Sequence, residues 1–175
     1  MEALVFIVDT LFSLYLVVLL LRLLLQWTRA DFRNPLARSL LQLTNPLIVP
    51  LRRMLPSAGP IDSASVVAIL VLLAVKLLLL GLLGSAGAPS SLGFAQLFAI
   101  HLLRLVLHTY FYCLLLYAAS SFVAPGTYLP ARSLLANVCE PVLRPIRRLI
   151  PAINGLDLSP LWALIAIQAL LLLLH

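Results

Sequence analysis

Residues 45–62 read NPLIVPLRRMLPSAGPID, and residues 140–157 read EPVLRPIRRLIPAINGLD. An offset of 95 carries Pro46, Pro50, Arg52, Arg53, Pro56 and Asp62 onto Pro141, Pro145, Arg147, Arg148, Pro151 and Asp157 without a gap. Pro35 and Pro130 extend the same offset upstream. Ungapped agreement at residue types this restrictive points to a tandem duplication. Everything else in the chain should then be built twice. Residues 1–83 form one unit, residues 92–175 the other, and residues 84–91 the turn between them.

The composition points to a membrane. Hydrophobic residues make up 63% of the 175, charged residues 10%, and mean hydropathy is +1.11. A water-soluble domain carries roughly 45–50% apolar and about 25% charged residues. The net charge of +6 would suit a nucleic-acid partner by itself. The basic residues are interleaved with leucines rather than aromatic platforms, however, which argues for a lipid surface and no nucleic acid. Cys113 falls in an apolar stretch and Cys139 in a connector, without CxxC spacing, so no disulfide is expected.

Four apolar stretches are spaced as membrane spans: residues 4–25, 64–83, 99–120 and 159–174. The first is read as a retained helix rather than a signal peptide, because residues 1–3 hold an acid and no base and no small-x-small site follows. The fold class is therefore all-α membrane protein, with four transmembrane helices in two parallel TM-loop-TM repeats. Leu36, Leu40, Leu43 and Leu47 recur at helical spacing inside the first connector, as an interfacial amphipathic helix would. Interfacial helices are accordingly predicted over residues 35–56 and 130–151. Asn45 ahead of Pro46 predicts a helix restart there, with Pro50 bending or delaying it. Asp62, Asp157 and Ser159 are predicted caps of the spans that follow, with Pro160 opening the last.

Nine of the 12 basic residues lie in the two proline-rich connectors, and none in the turn at 84–91. The positive-inside rule puts the connectors in the cytoplasm and both termini outside. Arg22, at the inner end of its span, can snorkel to that side. Trp27 and Trp162 sit near inner ends, where indoles favour the interface.

Three charges remain at membrane depth. The offset places Arg104 at the level of Asp9. Lys76, 14 residues beyond Asp62, rises about 21 Å at ~1.5 Å per residue, to roughly 9 Å below the outer edge of a ~30 Å core. An outer-leaflet cluster of Asp9, Lys76 and Arg104 is predicted, with His101 one turn away. It is either a structural ion pair that orders the helices or a ligand or ion site. His101, Arg104 and His108 share one helical face, but two histidines seven apart are about 10.5 Å apart along the axis and cannot serve one metal. No metal site and no cofactor are expected. Arg52, Arg53, Arg147 and Arg148 either attract anionic lipid headgroups or include one arginine of each pair that clamps Asp62 or Asp157. Glu140, Arg144 and Arg148 are spaced as an i, i+4, i+8 ladder. No nucleophile elbow, zinc-protease motif, phosphate loop or paired-carboxylate site occurs, so an enzyme is not expected.

The paired elements NPLIVPLRRMLP with Asp62 and Ser63, and EPVLRPIRRLIP with Asp157, Ser159 and Pro160, resemble the YggT (YlmG) family of small bacterial inner-membrane proteins over nearly the whole chain. Glu140 departs from the asparagine of that pattern, as do Ala64 and Ser65 where the second copy has Ser159 and Pro160. The resemblance implies a bacterial inner-membrane location, a link to osmotic or envelope stress, and a likeness to chloroplast proteins implicated in haem attachment. The expectation is a non-enzymatic scaffold or assembly factor whose partners are the bilayer, anionic headgroups, and either further copies of itself or another membrane protein. An oligomeric channel or transporter is the rival, and haem handling a third reading.

Overall fold

A computed structural model of the chain describes residues 2–55, 62–83, 91–123, 130–149 and 157–174. These residues form six helices: α1 (Glu2–Trp27), α2 (Pro35–Met54), α3 (Ser63–Leu83), α4 (Ser91–Val123), α5 (Pro130–Leu149) and α6 (Ser159–Leu173). No strand occurs among the described residues. Pro56 and Pro151 lie outside them.

Helices α1, α3 and α4 are long and apolar enough to cross a membrane. The sequence predicts a fourth such span. The helix found there, α6, is apolar but has 15 residues, about 22 Å at ~1.5 Å per residue against a hydrocarbon core of about 30 Å. Phe6, Leu11 and Leu14 on α1, Val71 and Leu82 on α3, and Ile165 on α6 are all exposed. Water would not tolerate so broad an apolar surface; acyl chains would.

The end of α1 is closed by its backbone. Ala30 N–H donates to the Leu25 carbonyl at 2.9 Å, while Arg29 takes φ 51°. Glycine is usual in that left-handed position, and an arginine there costs about 1 kcal/mol. Asn34 then caps α2, its side chain accepting from Leu36 N–H at 3.0 Å, with Pro35 opening the helix.

Helix α2 corrects one expectation. Asn45 caps no restart, because the chain runs from Pro35 to Met54 as a single 20-residue helix with Pro46 and Pro50 inside it. Helix α5 likewise takes Pro141 and Pro145 into a 20-residue helix, and it begins and ends 95 residues beyond α2. Each proline removes one backbone donor. The two in each helix are four residues apart and exposed, so the carbonyls left unbonded gather on the outer face, where polar surroundings can solvate them. The inner face keeps its packing: Ala37, Thr44 and Ile48 from α2, and Leu134, Val138, Cys139 and Leu143 from α5, are buried.

Helix α1 packs against α3 and α2, while α4 packs against α5 and α6. Contacts of α1 with α4 and α5, of α3 with α4, and of α2 with α5 join these groups. Leu16, Leu19 and Leu25 of α1 meet Ala64, Ala68 and Leu73 of α3 in the core. Small residues four apart, as at Ala64 and Ala68, let helix backbones approach closely.

Candidate functional site

Polar side chains collect at both ends of the bundle. The end formed by α2 and α5 holds two equivalent clamps. In the first, Arg52 Nη2 lies 2.7 Å from Asp62 Oδ2, and Arg52 Nε lies 3.2 and 3.3 Å from the two carboxylate oxygens. Ser65 Oγ donates to Asp62 Oδ2 at 2.6 Å. The Asp62 backbone carbonyl accepts from Val66 N–H, so Asp62 stands at the cap position of α3, with its carboxylate spent on Arg52 and Ser65. Burial works to raise the carboxyl pKa, but the bonds from Arg52 and Ser65 and the arginine charge outweigh it and hold Asp62 below its ordinary value.

In the second clamp Arg147 Nε lies 2.9 Å from Asp157 Oδ2, and Arg147 Nη1 lies 2.9 Å from Glu140 Oε2. Glu140 therefore pairs with Arg147, seven residues on, rather than starting the ladder with Arg144 and Arg148. Asp157 also accepts from Ser159 N–H at 3.0 Å, and its carboxyl is held low against the raising effect of burial. Ser159 is not the cap the sequence suggested. Leu158 occupies that position without a side-chain bond, and Ser159 is buried beside Asp157, whose carboxyl it helps hold low. Arg53 and Arg148, the other member of each arginine pair, are exposed. In both halves it is the first arginine that turns inward to the aspartate ten residues on.

Two further residues complete this end: Arg22, which the sequence suggested only as a snorkelling side chain, and Asn34, which sequence reasoning did not single out. Arg22 is buried and donates to Thr44 Oγ1 at 2.6 Å and Asn45 Oδ1 at 2.9 Å, tying α1 to α2. An arginine late in an apolar helix with Thr-Asn on the next helix was the available signal, but snorkelling explained it equally well. Asn34 Nδ2 donates to the Pro130 carbonyl at 2.6 Å and to Ser133 Oγ at 3.3 Å, joining the start of α2 to the start of α5.

The opposite end of the bundle carries the predicted charge cluster, rearranged. Lys76 Nζ lies 2.8 Å from Asp9 Oδ1 and donates to Ser13 Oγ at 2.7 Å. Arg104 does not reach Asp9; it donates through Nη2 to the Leu174 carbonyl beyond the end of α6. The cause is packing: α1 lies against α3, which brings Lys76, whereas α4 lies against α6. A carbonyl at a helix C-terminus carries partial negative charge and suits a guanidinium. His101 Nδ1 bonds the Leu97 carbonyl at 2.8 Å, and His108 Nδ1 bonds the Arg104 carbonyl at 2.9 Å. Lys76, His101, Arg104 and His108 nevertheless line one cavity of about 310 Å³ between α1, α3 and α4.

Among the described residues no group of three or more His, Cys, Asp or Glu is disposed to hold a metal. Cys113 and Cys139 are both buried free thiols, and burial together with the nearby Cys113 pushes Cys139 up to about 12.

The profile of the CCB3/YggT family matches residues 1–83 and 96–175. A Pseudomonas aeruginosa protein described as uncharacterized is 42% identical over 167 residues, covering 95% of this chain and 85% of the relative. An uncharacterized protein of Vibrio alginolyticus, described by its place in the proC 3′ region, is 41% identical, covering 96% and 91%. The Escherichia coli K12 protein described as uncharacterized protein YggT is 38% identical over 165 residues, covering 92% and 83%. No solved structure matches.

Proposed function

The chain belongs to the CCB3/YggT family, and we propose that it is a non-enzymatic integral membrane protein, a scaffold or assembly factor built from two like-oriented TM-loop-TM units. In this reading α6 completes a fourth span, α2 and α5 lie at the cytoplasmic headgroup level, and both termini are outside. The membrane is the bacterial inner membrane.

One observation carries it. Arg52 with Asp62 and Arg147 with Asp157 make the same contact at an offset of 95 residues, each fastening an arginine-bearing helix to the start of the apolar helix that follows. A scaffold needs its connectors held at a fixed height on its spans, and paired clamps supply that. The polar side chains near them go to helix-to-helix ties: Arg22 to α2, and Asn34 to α5. Exposed Arg53 and Arg148 remain for anionic headgroups. The association with osmotic and envelope stress comes from the family resemblance.

The arrangement is tested by labelling single-cysteine variants in intact cells with a membrane-impermeant maleimide, on a background with both native cysteines replaced. Glu2→Cys should react before lysis, and Arg53→Cys and Arg148→Cys only after it. Labelling of either connector from outside refutes the orientation. The cavity beside Lys76 favours a second reading, an oligomeric conduit. Ion flux through liposomes holding the folded protein, lost in Asp9→Asn, would establish the conduit in place of the scaffold.

A further inference from the structure

We propose that the cavity between α1, α3 and α4 is a binding site for a phosphate-bearing anion, with Arg104 and Lys76 as the charged ligands and the phosphate group of an outer-leaflet acidic lipid as the group it suits best. The inference concerns the end of the bundle remote from the clamps and holds whether the protein is a scaffold or a conduit, while its outer-leaflet placement rests on the orientation proposed above.

Among the described residues the charge balance of the cavity leaves Arg104 alone without an anion. Lys76 is buried and already neutralised by Asp9 at 2.8 Å. Arg104 borders the same cavity at the depth of an apolar span, and among the described residues no carboxylate lies against it. Among the described residues its bond is to the neutral Leu174 carbonyl. A guanidinium has five N–H donors and one carbonyl leaves most of them unanswered. A charge so placed in a membrane is costly without a partner.

The donor set selects the anion. A guanidinium and an ammonium facing one space suit the several oxygens of a phosphate better than a lone halide. His101 and His108 donate Nδ1–H to backbone carbonyls, so Nε2 of each neutral ring is an acceptor, and the donors for the anion are Arg104 and Lys76. The remaining wall is apolar, with Leu16 and Leu73 among its residues, so the cavity suits a group that is anionic at one end and hydrocarbon at the other. Its volume of about 310 Å³ sits at the lower end of the ~300–1,000 Å³ range of ligand pockets, enough for a headgroup phosphate and the start of a chain.

The test is native mass spectrometry of the full chain in neutral detergent, titrated with phosphatidylglycerol, with phosphatidylcholine, or with inorganic phosphate. Phosphatidylglycerol should bind at least about tenfold more tightly than phosphatidylcholine, and Arg104→Gln, which keeps a donor for the Leu174 carbonyl, should lose about tenfold or more. Val17→Phe, which narrows the cavity without altering charge, should lose binding as well, and it decides the matter if Arg104→Gln does not fold. Displacement of bound lipid by inorganic phosphate assigns the site to the free anion, and persistence assigns it to the lipid. Equal binding of the two lipids overturns the proposal, as does unchanged binding in folded Arg104→Gln or Val17→Phe, or a preference abolished by Arg53→Gln with Arg148→Gln.

Discussion

Arg52 Nη2 stands 2.7 Å from Asp62 Oδ2 across the join between α2 and α3, and the two partners differ in their surroundings: the arginine side chain is 47% exposed and the aspartate 4%. The pair is an outer cation reaching in to a buried anion. Its value lies in what its loss would strand.

Arg52→Gln is therefore expected to destabilise the folded protein by about 1–3 kcal/mol, the cost of leaving a buried charged group underserved. Asp62 is held below the ordinary carboxylate value, so its contribution is fully present above pH ~3.9 and disappears as pH falls through the lower folded-state value. Without Arg52 the raising effect of burial gains weight, and acid unfolding should begin at higher pH. Thermal unfolding in detergent across an acid pH series measures both.

The second clamp should prove weaker. Arg147 is 34% exposed, Glu140 52% and Asp157 37%, and pairs this open to polar surroundings contribute about 0–1 kcal/mol each. Arg147→Gln should lower the midpoint less than Arg52→Gln does, and added salt should narrow the gap between Arg147→Gln and the parent. A larger loss from Arg147→Gln would refute this ranking.

Thr44→Val keeps shape but removes the acceptor for Arg22 at 2.6 Å. Arg22 Nε already lacks a partner, so the guanidinium would be left with its 2.9 Å bond to Asn45 as its tie to α2. A loss of about 1.5–3 kcal/mol is expected, appropriate to a hydrogen bond on a charged group. Chemical denaturation of the detergent-solubilised variant gives the number.

Asp9 and Lys76 invite a double-variant cycle. Asp9→Asn alone leaves buried Lys76 without its anion and should cost about 1–3 kcal/mol, whereas adding Lys76→Leu removes the stranded charge and should restore most of the loss. Leucine is also what the second half carries at the corresponding position, Leu171. Additive losses in the cycle would dismiss the pairing.

Cys139, pushed up to about 12, is almost wholly a thiol at neutral pH, and the thiolate is the reactive form. Iodoacetamide at pH 8 should modify it only after denaturation. Rapid labelling of the native protein would mean that α5 leaves its seat on α4.

How far these contacts could be read beforehand follows from what each depends on. The arginine-to-aspartate reach was legible because Arg52 and Asp62 are close in sequence and repeated with Arg147 and Asp157; which arginine of each pair turned inward was not, since Arg52 and Arg53 differ only in helical phase. The Asp9 cluster was legible as a depth and not as a pairing. Depth follows from residue count along one helix, whereas the choice between Lys76 and Arg104 depends on which helices are neighbours. The continuity of α2 through Pro46 and Pro50 was missed because each proline was weighed singly. Their four-residue spacing, which puts both defects on one outward face, is what the helix tolerates. Asn34 gave no sign, since its acceptor is the backbone of Pro130, and backbone partners leave no mark in a sequence.

Asn34 has a mechanical consequence. Its one amide group accepts from the first turn of α2 and donates into the first turn of α5, at 3.0 and 2.6 Å. Sliding one half past the other would break those bonds and strand a buried amide, whereas swivelling about that spot would keep them. As far as this contact goes, the two halves rock more cheaply than they shear.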